Sequence, residues 1–447
     1  MIKKVFICIV ISSVMFLMAC HRESGPIENV TLQNHNELFK DYVYDQVKSM
    51  DLVVDSMAIA EDGYYFIWEG VLFFYDFDSD ISIPMCSRAE CSHKTQGCDG
   101  FIGKMDYNTN IFVCENNEVL LYDGYLYMVE RTKENISNLC RYNGNLNDKV
   151  IIAQLASLYG ERPSLCTTHG SYKIVDGYFY YIMCDVDIDT MEANKYMFKY
   201  NCMRVKLEEK ATPEKLGDFM FPGDYGIGVF LNSVSVLSCG KDVYFIAGGT
   251  NRFFEKDNPM QYYVTKYSNE NKKFEVLASY VGNKDYNAWS IISGFIPSVN
   301  NMYMDDDATI YTIGNDGTNN NIIAFNYSNN SSKVIYKGCN SFAFDGEYFY
   351  TFLRASDTYP YLTAIDKEGN IVRQYKFDVL DSFRKKMQER GFPEAQWEKG
   401  DFRIKGIDGR YIMIHGLTET SKNYGVTLIN REQFLSGVDF EIKTIYE

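Results

Sequence analysis

The chain has 447 residues, with 44 Lys plus Arg against 60 Asp plus Glu and a formal net charge of −16. That acidity argues against a nucleic-acid partner, which needs a basic surface to release counterions, and against adsorption to an anionic membrane by charge alone. Aromatic residues make up 15% of the chain, 36 Tyr and 30 Phe beside only 9 Pro, which is a folded composition that favours strands over helices.

The chain begins with a charged pair, Lys3 and Lys4, followed by an apolar run from Val5 to Met18. A run of about fourteen residues is short for a membrane span and has the length of a signal-peptide core. It ends in Leu17-Met18-Ala19-Cys20. A small residue before Cys, and an aliphatic one two places earlier, form a lipobox. The expectation is a signal peptide over 1–19, acylation of Cys20, and a polar tether over 20–35. Such a chain would be held outside the cytoplasm by a lipid anchor in the membrane. Residues 36–50 carry Leu38, Phe39, Tyr42, Val43, Val47 and Met50 at helical spacing, with Asn36 as N-cap.

From residue 51 to the end, one unit recurs. It is Asp-Gly followed by a strand dense in Tyr and Phe: Asp62-Gly63-Tyr64-Tyr65-Phe66, Asp123-Gly124-Tyr125-Leu126-Tyr127, Asp176-Gly177-Tyr178-Phe179-Tyr180, Asp345-Gly346-Glu347-Tyr348-Phe349-Tyr350 and Asp408-Gly409-Arg410-Tyr411-Ile412. Weaker copies start at Gly240-Lys241-Asp242 and Asp306-Asp307. Asp-Gly between apolar runs predicts a hairpin, since both residues tolerate the positive φ of a type I′ turn. Third strands follow at Phe74-Tyr75-Asp76, Leu139-Cys140-Arg141-Tyr142 and Ala324-Phe325-Asn326-Tyr327, and fourth strands at Lys333 to Tyr336 and Glu441 to Tyr446. Four antiparallel strands per unit, with seven turn starts, predict an all-β fold, a β-propeller of seven blades. Six and eight are the neighbouring counts. One helical insert is expected over 378–400, where Val379, Leu380, Phe383 and Met387 share a face and Gly391 and Pro393 punctuate the end.

Of twelve Cys, Cys8 falls in the signal peptide and Cys20 in the lipobox. Some of the remainder are expected in the core as small hydrophobes. Cys86, Cys91, His93 and Cys98 form one dense cluster. Its spacing suits a closed Cys₃His zinc site, which would be structural. It equally suits a disulfide between two of the cysteines, with the third joined elsewhere, for instance to Cys114, or free thiols; an exported chain favours the disulfide. Together with the Asp-Gly-aromatic units, this segment resembles the cell-surface propeller lipoproteins of gut Firmicutes, related to low-density-lipoprotein-receptor-type and TolB-like propellers. Members carry Leu-Cys-x4-Cys-x-His-x4-Cys after an early blade; here Met85 stands in place of the Leu. The resemblance covers about residues 51–447 and implies location and fold, but no reaction and no catalytic residue.

Enzyme signatures are thin: the chain has no Gly-x-Ser-x-Gly, no His-Glu-x-x-His and no phosphate-binding glycine loop. His21 and His35 sit in the tether, and His169 and His415 near blade strands. Two acidic ladders, Asp76-x-Asp78-x-Asp80 and Asp185-x-Asp187-x-Asp189, lack the Gly and Glu of a calcium loop, so calcium is disfavoured. The expected function is a non-catalytic binding or scaffold module for an extracellular glycan, peptide or protein. Its rim would be formed by Asp185–Lys195, Asn251–Gln261 and Ala355–Tyr361. The alternative is an enzyme acting on a polysaccharide through carboxylates at the propeller axis, and a view of the axis would discriminate between the two.

Overall fold

The computed structural model describes most of residues 57–446. Residues 1–56, 92–97, 101–118, 158–162, 166–171, 188–196, 221–229, 251–260, 282–301, 377–400 and several shorter loop stretches lie outside the described residues. The signal peptide, Cys20, both expected helices and His93 therefore fall outside them as well.

The chain folds as a seven-bladed β-propeller of four antiparallel strands per blade. Blades one to seven occupy residues 57–84, 120–157, 173–220, 230–281, 303–337, 342–376 and 401–446. Strands run in chain order within every sheet, and blade three adds a short strand, Pro163–Leu165, paired to its second strand. The first strands are innermost, because Met57–Ile59 neighbours Leu120–Tyr122, which neighbours Lys173–Val175, and so on around the ring. The fourth strands form the outer edge and carry the exposed aliphatic residues Ile81, Ile83, Ile151, Val276, Ile371 and Val372.

The aromatic runs have a simple cause. A second strand is sandwiched between two neighbouring blades, so both of its faces are buried and alternation disappears. Tyr64 and Phe66 pack toward blade seven with Met413, Leu428 and Ile445. Tyr65, between them, packs toward blade two with Leu126 and Met128. Phe179 and Tyr181 face blade two in the same way, while Tyr180 and Ile182 face blade four. Cys140, Cys202 and Cys339 fill gaps in these layers as buried small hydrophobes, and burial pushes the Cys339 thiol up to about 12.

The Asp-Gly units hold as hairpins, but only two of the turns take the expected geometry. Asp123-Gly124 and Asp176-Gly177 have both residues at positive φ. At Asp345-Gly346 and Asp408-Gly409 only the Gly does, and the Asp folds the turn with its side chain. Asp345 Oδ1 accepts from the N–H of Glu347 (2.8 Å) and Tyr348 (2.7 Å), and Asp408 Oδ1 accepts from Arg410 (2.8 Å) and Tyr411 (2.6 Å). These turns are one residue longer than the first two, and the carboxylate captures the N–H groups the extra residue leaves over. Gly63 has no positive φ. It lies at the start of a strand where a Cβ would stand 2.1 Å from the Tyr75 carbonyl oxygen and 2.4 Å from the Phe74 ring, so close approach is what requires glycine there.

Among the described residues blade seven is built from the C-terminal strands alone, and side chains join it to blade one. Tyr64 of blade one donates to the buried Asp408 of blade seven. Arg410 donates to the carbonyls of Glu61 (2.6 Å) and Ala60 (3.1 Å) and lies 4.5 Å over the Phe77 ring. Ser82 donates to the Ile445 carbonyl, and Lys443 pairs with Asp80 at 3.3 Å. One short helix, α1 (Arg431–Ser436), sits between the last two strands, capped by Asn430 and by Gly437 at φ 77°. Among the described residues no helix is long and apolar enough to cross a membrane.

Candidate functional site

Antiparallel order divides the connections between two faces. Turns from strand one to two, and from three to four, lie on one face; connections from two to three, and from each blade to the next, lie on the other. On the first face the hairpins are tight, and the side chains bind one another. Tyr350 donates to Asp345 Oδ2 (2.8 Å), which also accepts from Arg431 Nε (2.6 Å) of the next blade. Tyr311 donates to Asp305 Oδ2 (2.8 Å), which pairs with Lys367 of the next blade at 3.6 Å. Tyr180 donates to Asn269 of blade four (2.6 Å), which also accepts from Arg204 (3.3 Å). Arg431, Lys367 and Asn269 each stand at the end of a third strand and reach back onto the preceding blade. Sequence reading missed them; their signal is a polar residue at the same place in successive repeats.

Carboxylates of the first acidic ladder on this face take structural bonds: Asp76 Oδ1 accepts the Ser79 N–H (2.7 Å), and Asp80 receives the Tyr75 hydroxyl. The second ladder belongs to the opposite face, because Asp185 and Asp187 end the second strand Tyr178–Asp187 of blade three, and Asp189 is outside the described residues. Burial raises the Asp408 carboxyl above its ordinary range, even though the Tyr64 hydroxyl and two backbone N–H groups pull it down.

The opposite face collects the long connections. Residues 85–119, 158–172, 221–229, 282–302 and 377–400 join blades there, and 188–196 and 251–260 join second to third strands. All three segments expected to form a recognition rim therefore leave from this one face. His415 lies in the strand Tyr411–Leu417, while His169 and Cys114 are outside the described residues. Six of the seven innermost strands contain no Asp or Glu; the seventh, Asp401–Ile407, begins with Asp401.

The Cys-rich segment opens the longest of these connections. After the strand Ile81–Pro84, Met85 N–H donates to the Leu72 carbonyl, and Leu72 N–H donates to the carbonyl of Gly100, both at 2.8 Å. Residues 86–99 thus leave and return at one point on blade one. The neck is tight: a Cβ on Gly100 would lie 2.9 Å from the Met85 carbonyl oxygen. This closure brings Cys86, Cys91 and Cys98 together, with all three sulfurs within 4.8 Å of one another. Cys98 is buried, and Cys86 and Cys91 are half-buried. Burial, with the two neighbouring thiols, pushes the Cys98 thiol up to about 12 against the pull of the Gly100 N–H.

No protein-family model matches the chain, and no curated protein matches it. Solved structures match at the level of fold. The chain is similar to a puromycin hydrolase (9% identity, TM-score 0.50, covering 90% of this chain and 55% of that one). It is also similar to a puromycin-hydrolyzing peptidase of Mycobacterium tuberculosis (10% identity, TM-score 0.47, 90% and 54%). A third is a putative 6-phosphogluconolactonase of Bacteroides fragilis (11% identity, TM-score 0.37, 88% and 95%). The chain spans about half the length of the two puromycin-hydrolysing proteins it matches.

Proposed function

We propose that the chain is an extracytoplasmic lipoprotein, anchored through Cys20, whose propeller binds an extracellular glycan, peptide or protein without transforming it. The observation that carries this reading is the asymmetry of the two faces. One face carries tight hairpins tied by bonds within and between blades, and the other gathers the long connections that leave blades one, two, three, four and six. Loops held on a rigid scaffold are where recognition is usually built. The lipobox and the resemblance to propeller lipoproteins of gut Firmicutes support the location. The enzyme reading asked for carboxylates converging on the axis, and six of the seven innermost strands offer none. The likeness to puromycin hydrolase leaves nearly half of that protein without a counterpart here and carries no activity across.

The test uses the full-length chain in detergent, screened against soluble polysaccharides, peptidoglycan fragments and peptides. Saturable binding with the ligand recovered intact is the expected result. Product release that disappears on Asp401→Asn would replace this reading with the enzymatic one. Cys20→Ser, followed by cell fractionation, tests the anchor: the variant is expected to leave the membrane fraction, and unchanged retention refutes anchoring at Cys20.

A further inference from the structure

Cys86, Cys91 and Cys98 are unlike the other cysteines of the described chain. Cys140, Cys202 and Cys339 are each buried among apolar side chains of a blade interface. The cluster instead gathers three thiols at the neck of a loop. We propose that these three sulfurs hold a single soft divalent cation, zinc by donor type, as a structural centre on the loop face.

The geometry favours a shared ion over a pairwise link. Zinc takes thiolates at about 2.3 Å in a tetrahedron, which sets its sulfurs about 3.8 Å apart. Three sulfurs mutually within 4.8 Å lie within about an ångström of that spacing at their widest. A disulfide needs about 2.05 Å between two sulfurs and would engage only two of the three gathered here. The Gly100 N–H donates to the Cys98 sulfur, the kind of outer contact that orients a metal ligand. Arg88 O accepts from Cys91 N–H at 3.1 Å, a turn that aims Cys91 back toward Cys86. Soft sulfur donors select zinc over calcium or magnesium.

Binding would convert three thiols to thiolates and release their three protons to solvent, with no change of oxidation state. The ion would lock the neck through which residues 86–99 leave and rejoin blade one. It would thereby hold the start of the long connection 85–119 on the proposed binding face.

The experiment uses full-length chain purified from its own membrane fraction without reductant, so that the native compartment decides the sulfur chemistry. Elemental analysis is expected to find about one zinc per chain. Denaturation with chelator should then expose Cys86, Cys91 and Cys98 as three alkylatable thiols. Replacing the metal with cobalt should produce thiolate-to-metal charge-transfer absorption and tetrahedral d–d bands, a readout that needs no variant. Cys98→Ser is expected to lose the ion. Cys239→Ser, in a different blade, should keep it. A disulfide between any two of the three cysteines in the native protein, without stoichiometric metal, overturns the proposal. So does a zinc content that survives in a Cys86→Ser/Cys91→Ser/Cys98→Ser chain. Neither result bears on ligand binding, so this inference and the proposed function fail separately.

Discussion

The two faces of the ring solve opposite problems with the same strands. On the turn face, short hairpins bring Asp, Tyr and a basic residue of the next blade together, as in Asp345, Tyr350 and Arg431. Every such group is committed to holding blades in register. On the loop face, long connections depart from the strand ends, within a blade at 251–260 and between blades six and seven at 377–400. The contrast teaches that stability and recognition are separated along the propeller axis: substitutions on one face should change melting, and on the other, binding.

The sharpest way to break that contrast is to remove a shared acceptor. Asp345→Ala takes away the partner of two backbone N–H groups, the Tyr350 hydroxyl and Arg431. It removes the nearest acceptor of the half-buried Arg431 guanidinium, which keeps only Glu347 at 4.0 Å as a carboxylate partner, and is expected to cost about 2–4 kcal/mol, read by chemical denaturation. A loss below about 1 kcal/mol would mean the turn face is not the structural one. Gly63→Ala comes next, because its Cβ would overlap backbone and ring atoms together; about 1–3 kcal/mol of destabilisation is expected. Gly240→Ala meets nothing within 4 Å but keeps a positive φ of 58°, so about 1 kcal/mol is expected. The reverse order of the two glycines would mean that blade one yields to the added Cβ more readily than the blade-four turn tolerates a side chain at positive φ.

Closure of the ring should be sensitive to pH through Asp408. Burial raises its carboxyl in the folded chain, so the native state binds that proton more tightly than the unfolded one. The contribution is present below the ordinary carboxylate range and is lost as pH rises through the raised value. Wild type should therefore lose stability relative to Asp408→Asn between about pH 4 and neutrality. A wild-type advantage that grows over that interval contradicts burial as the dominant cause. The smallest effect is expected on the other face. Replacing residues 251–260 by a shorter Gly-Ser link should change stability by less than about 1 kcal/mol while altering ligand binding. Collapse of the fold would erase the distinction between the faces.

Much of the architecture is legible in the residues. The aromatic strands behind Asp-Gly, the third-strand Tyr75 and Tyr142 and the fourth strands over 333–336 and 442–446 lie in blades, because repetition and β-propensity are local properties; Tyr327 is outside the described residues. The turn types were less legible. Asp123-Gly124 and Asp345-Gly346 look alike as dipeptides, yet one turn uses two positive φ values and the other a carboxylate cap. What separates them is loop length, set by where the flanking strands pair. The helix α1 was also missed: six residues are too short for periodicity, although Asn430, Glu432 and Gly437 mark its ends.

The sequence alone determined the repeat, the strand content and the clustering of Cys86, Cys91 and Cys98 along the chain, since each is written within a few dozen consecutive residues. Only the tertiary structure decided which side chains meet across blades. Tyr64 and Asp408 are 344 positions apart, and nothing local in either predicts the bond. Tertiary structure likewise decided that the three sulfurs converge, because the hydrogen bond from Leu72 to Gly100 closes the loop. It also sorted the long connections onto one face, since that follows from the parity of antiparallel strands within a closed ring.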